Sequence, residues 1–146
     1  MTIQEVYNRR EKMFSDFRGC ALKSYNYFHW GYKDKQIYEA GFIAELREVG
    51  YQIFHKHEFP IFYKNRPSEI SILLDLVVSD ELLGGTIIQF NVSDQIDEES
   101  RKNLWAGMKL TNLEYGMIVN IGESGITTEN WMRNNPMNDH CVKIEI

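Results

Sequence analysis

The chain has 146 residues, 43% of them hydrophobic and 25% charged, with neither a low-complexity tract nor a fixed-period repeat. One folded domain over residues 1–146 is therefore expected, and extended disorder is excluded by composition. A formal net charge of -5 opposes non-specific association with phosphate backbones, which draws on clustered Lys and Arg releasing counterions. Cys20 and Cys141 stand far apart in no ligand-like spacing, so reduced thiols are expected rather than a disulfide framework or a zinc site.

The N-terminal stretch MTIQEVYNRREKMFSDF is charged and helical in pattern and lacks the continuous apolar segment of a signal peptide. No run approaches the roughly 18 apolar residues of a membrane span, so a cytoplasmic location is the default expectation. Val6, Met13, Phe14, Phe17 and Leu22 recur at loose helical spacing and predict an amphipathic helix from Ile3 to about Leu22. Arg9, Arg10, Lys12, Arg18 and Lys23 gather on this segment and read as its solvated face. The aromatic segment Tyr25 to Trp30 is left open between buried wedge, turn and exposed patch, with Gly31 breaking it from the next element.

Tyr38, Phe42, Leu46 and Val49 fall at steps of four, four and three and predict a helix over 33–49, with Gly50 as a left-handed cap. Period two then begins, and Pro60 argues for an edge or strand-entry position. Lys64 to Ser68 reads as the turn of a hairpin. Ile70 to Val78 is apolar nearly throughout and predicts a strand covered on both faces, with Asp75 alone inside it; Gly84-Gly85 precede a further strand, Thr86 to Val92. A helix over about Glu98 to Leu110 and a buried strand Tyr115 to Ile121 complete a strand–helix–strand crossover, which implies parallel pairing. Residues 124–146, with Gly125, Asn134, Asn135 and Pro136, read as an irregular excursion before a short strand in which Val142, Ile144 and Ile146 alternate. The order helix, three strands, helix, strand gives an α/β class with a mixed central sheet flanked by helices. No GxGxxG or GxxxxGK[ST] is present, and Gly84-Gly85 lead into a strand, so no phosphate cradle is expected.

The helix ending Glu45-Leu46-Arg47 with Gly50, the strand pair FPIFYKN and SILLDLVV, the strand GTIIQFNV and the segment GMIVNIGE occur in an order and spacing that resemble the GxxExxY family. That family comprises small bacterial proteins of the PD-(D/E)xK nuclease superfamily. The resemblance runs from Tyr38 through Glu123 and implies a restriction-endonuclease-like core over 33–123, preceded by an N-terminal helix and aromatic segment (1–30). It also implies a site in which two carboxylates hold Mg²⁺ and a Lys stabilises transition-state charge.

Asp75 matches the first carboxylate, while the second carboxylate and the lysine fall on Gln89 and Asn91, neutral amides that would weaken a cation site. The motif's Gly and Glu fall on Tyr32 and Lys35, its Tyr on Tyr38, and the Gln of the following helix on Asn103. A scaffold retained after loss of catalysis is expected, with no cofactor, and with a protein partner or a second copy preferred over nucleic acid or membrane. A nuclease that needs Mg²⁺ and uses relocated groups is the alternative, with Glu99, one turn before Asn103, as the relocated carboxylate. A third reading is a small polar ligand held by Gln89, Asn91 and Asn103.

Lys35 is expected to pair with Asp75 as a buried ion pair. His55 and His57, two apart on a strand with Glu58 beside them, form a weaker transition-metal candidate that His29 and His140 do not complete. Ser71, Ser79 and the cysteines carry no nucleophile motif.

Overall fold

The computed structural model describes residues 1–135 and 140–145. Its elements run α1 (Ile3–Phe28), α2 (Lys35–Val49), β1 (Gln52–Tyr63), β2 (Arg66–Asp80), β3 (Gly84–Val92), α3 (Glu98–Thr111), β4 (Tyr115–Gly122), β5 (Gly125–Asn135) and β6 (His140–Ile144). The six strands form one sheet in sequence order. Neighbours are antiparallel except β3 and β4, which lie parallel across the α3 crossover, as the strand–helix–strand pattern implies.

Side-chain composition sets each helix end. Thr2 and Glu5 form a reciprocal capping box on α1, and Asp34 and Asp97 accept from Gln36 N–H at 2.9 Å and Ser100 N–H at 2.8 Å. Gly50 closes α2 at φ 106°, its N–H bonded to the Leu46 carbonyl at 3.0 Å. Helix α1 runs beyond Leu22 to Phe28 because its last turn is anchored: Tyr25 and Phe28 pack around the fully buried Tyr38 ring, and Ser24 Oγ donates to the Tyr38 carbonyl at 2.6 Å. The aromatic segment is thus divided, with Tyr25 and Phe28 inward and Tyr27 and Trp30 exposed.

Period-two alternation sends Ile88 and Phe90 of β3 and Met117 and Val119 of β4 toward α1 and α2, where they meet Phe14, Phe17 and Phe42. Ile87 and Ile118 point the other way and pack with Leu104 and Met108 of α3. A Cβ on Gly41 would collide with the Ser24 side chain, so glycine there permits the close α1–α2 approach.

Three expectations are corrected. The first of these, an irregular excursion over residues 124–135, gives way to strand β5, paired with β4 from Gly122↔Gly125 to Tyr115↔Met132; a neighbouring ladder satisfies the backbone despite the Gly and Asn content. Pro136 and Ile146 lie outside the described residues. Second, β2 is not covered on both faces throughout. Leu74 and Leu76 to Val78 are buried, but Ile70 and Leu73 are exposed, because β2 pairs with β3 only from Asp80↔Gly84 to Val77↔Ile87 and continues beyond as a two-stranded ribbon with β1. Third, the hairpin turn is tighter than Lys64–Ser68: Lys64 and Asn65 are both left-handed, at φ 50° and 63°, the geometry of a two-residue hairpin loop. Pro60 stands on β1, an edge strand, as its missing N–H requires.

Candidate functional site

Where β2 and β3 part, Asp75 and Gln89 stand on opposite sides of the opening. A cavity of about 170 Å³ lies there, lined by Lys35 from the start of α2, Leu73 to Asp75 of β2, Ile87 to Gln89 of β3, and Asn103, Leu104 and Gly107 of α3. The tertiary structure therefore gathers four of the residues singled out in the sequence, Lys35, Asp75, Gln89 and Asn103, from four separate elements.

Lys35 Nζ donates to Asp75 Oδ2 at 2.9 Å. The expected ion pair forms, but it is not buried, since the side chains are 38% and 51% exposed. Asp75 escapes the apolar environment of its neighbours because β2 pairs there with β1 alone, its pairing with β3 starting only at Val77. Solvent screens such a pair and removes the desolvation penalty of a buried one.

Gln89 and Asn91 share the face of β3 that meets α3. Gln89 Nε2 donates to the Ser100 carbonyl at 2.9 Å, and Asn91 Nδ2 to Ser100 Oγ at 3.1 Å. Both amides thus fasten the first turn of α3 to the sheet, and Asn91 does not line the cavity. Tyr38 also lies away from it. Its hydroxyl donates to the His29 carbonyl at 2.7 Å and its ring meets Tyr32 edge-on, holding the α1–α2 connection. Glu99 is exposed on α3 and lines no part of the cavity, so the helix spacing that made it a candidate does not bring it to Asp75. Lys56, between His55 and His57, is left-handed at φ 51°, and the His57 ring packs between Phe54 and Phe59.

Sequence reasoning missed Glu39. It lies four residues after Lys35, so both occupy one face of α2. Its side chain is buried, with Oε2 lacking a hydrogen-bond partner. Burial pushes its pKa up, Lys35 opposes the rise, and Asp75 adds to it. The available signal was a carboxylate beside the apolar stripe of Tyr38 and Phe42, one helical turn from the motif position at Lys35. A second missed feature is the anchor of α3: Arg101 donates in bidentate fashion to Glu129 on β5 at 2.9 and 2.7 Å, and Trp131 Nε1 donates to the same carboxylate at 3.2 Å. These bonds, that to Arg101 foremost, hold the Glu129 pKa down.

The Mg²⁺ that the resemblance implies requires several oxygen ligands, usually including one or two carboxylates. Asp75 supplies the one carboxylate of the cavity lining, and that carboxylate holds an ammonium. Among the described residues no group of three or more His, Cys, Asp or Glu is placed to hold a metal ion. The residues present do not fit such a centre.

The crystal structure of SSO0001 is similar, with 16% sequence identity and a TM-score of 0.45 over 84% of this chain and 61% of that one. This chain thus spans less than two thirds of the length of that structure. No curated protein matches. The sequence profile of the PD-(D/E)XK nuclease superfamily matches residues 11–133, from within α1 into β5, and the chain belongs to that superfamily.

Proposed function

We propose that this chain is a non-catalytic member of the superfamily, a divergent relative of the GxxExxY proteins that acts as a binding or scaffold module. The observation that carries the reading is the Lys35 ammonium, 2.9 Å from Asp75 Oδ2. It sits on the carboxylate that a divalent cation would use, and it neutralises that carboxylate without metal. The neighbouring amides support the same reading, since Gln89 and Asn91 each donate an N–H to Ser100. Calorimetric titration of Mg²⁺ and Mn²⁺ tests it, with Asp75→Asn alongside. No saturable heat at millimolar metal is expected. Saturable binding that disappears in Asp75→Asn overturns the reading.

One observation favours a second reading, a metal-dependent nuclease with a relocated carboxylate. Glu39 Oε2 is buried without a partner, in the electrostatic neighbourhood of Asp75 and Lys35. Under that reading metal binding is lost in Glu39→Gln as well as in Asp75→Asn, and the purified protein cleaves DNA with Mn²⁺. Under the non-catalytic reading, Glu39→Gln instead raises stability at neutral pH by removing a desolvated charge. With the folded pKa raised, the wild type loses stability as pH rises through it, and the variant lacks that loss.

A further inference from the structure

We infer that the α1–α2 face is a self-association surface, and that a second copy of this chain packs on it about a twofold axis, each Lys23 meeting the partner's Glu45. A groove of about 410 Å³ runs between the two helices. Its α2 side carries Ala40 and Ala44, both exposed, and residues this small let another helix approach closely. At its α1 rim Tyr27 is 79% exposed, and the half-exposed Tyr32 ring packs edge-on against Phe28 of the lining. An apolar groove rimmed by charge is the kind of surface that an interface covers.

The two walls carry charges of opposite sign, Lys23 on α1 and Glu45 on α2. Neither forms an ion pair with a described residue. A uniformly acidic or basic partner would satisfy one wall and repel the other. A twofold-related copy satisfies both, because an isologous contact sets residue i against j and j against i. Helix α2 has 15 residues and so spans about 22 Å, with a helix pair about 20 Å wide. That footprint suits the small end of the interface range and a dimer of modest affinity.

Association through this face rests on the binding-module reading above, yet it is measured by mass rather than by metal binding, so either can fail alone. Sedimentation velocity of the whole chain over a concentration series is expected to show a monomer–dimer equilibrium. Lys23→Glu alone and Glu45→Lys alone each set like charges against each other and should weaken association about tenfold or more. Mixing the two variants in equal amounts places opposite charges together at both symmetry-related contacts, restoring a heterodimer and showing that both variants fold. A wild type that stays monomeric at high micromolar concentration overturns the inference. Reversals without effect overturn the face, and a mixture that fails to associate overturns the twofold pairing.

Discussion

Gln89→Glu introduces the carboxylate that the resemblance assigns to this position and should destabilise the protein, because the Gln89 side chain makes a structural bond. Gln89 Nε2 donates to the Ser100 carbonyl at 2.9 Å, and an ionised carboxylate has no proton to give. The lost neutral hydrogen bond is worth about 1 kcal/mol, and a carboxylate left facing a carbonyl adds about 1 to 2 more. The α3 N-terminus offsets part of this, since a negative charge in its first turn gains about 0.3 to 1 kcal/mol. Gln89 is also half-buried, so some water reaches the new charge. The net loss is about 2 kcal/mol, or a fall in Tm of about 4 to 8 °C for a chain of this length.

The sign of the pH dependence separates this account from simple misfit. The folded state disfavours the ionised form of the introduced carboxyl group, and the protonated form can still donate to Ser100, so its folded pKa lies above the unfolded value. The variant therefore approaches wild-type stability below the unfolded carboxylate pKa and loses it as pH rises through the folded one. Urea unfolding of both proteins at about pH 4 and about pH 7.5 reads this difference. Equal losses at the two pH values, or none at either, refute the reasoning.

Arg101→Met should cost about 2 to 3 kcal/mol in urea melts, since it strips the bidentate partner from Glu129, whose side chain is 8% exposed. Trp131 and the more distant Lys143 keep the loss below the full cost of stranding a buried charge. Because Arg101 lowers the Glu129 pKa, this stabilisation is present above the unfolded carboxylate pKa and is lost as pH falls through the depressed one; acid unfolding should begin at higher pH in the variant. Lys35→Ala and Asp75→Asn should each shift stability by no more than about 1 kcal/mol, shrinking further in high salt, because both side chains are more than a third exposed. A loss of several kcal/mol in thermal melts of either variant would restore the buried-pair account.

Much of the architecture comes from local signals. The stripe of Tyr38, Phe42 and Leu46, the stop at Gly50, the edge position of Pro60 and the parallel β3–β4 pair need only side-chain periodicity and backbone chemistry within or next to each element. Helix α1 beyond Leu22 and strand β5 were not legible in the same way. Both depend on partners distant in sequence: the Tyr38 ring, which anchors the last turn of α1, and the β4 ladder, which overrides the weak strand signal of an Asn- and Gly-containing segment.

The site divides along the same line. Residue identity alone determined that two neutral amides stand where the resemblance puts a carboxylate and a lysine, and that Lys35 carries a charge opposite to the motif's glutamate. Only the tertiary structure decided the surroundings of those residues. Asp75 sits in an apolar stretch of sequence yet meets solvent, because β2 pairs with β3 only from Val77 onward. Glu39 reads as an ordinary helical glutamate yet is enclosed, because its face of α2 packs against the sheet. Burial is set by which elements cover a position, and a local sequence pattern carries no information about where paired strands part.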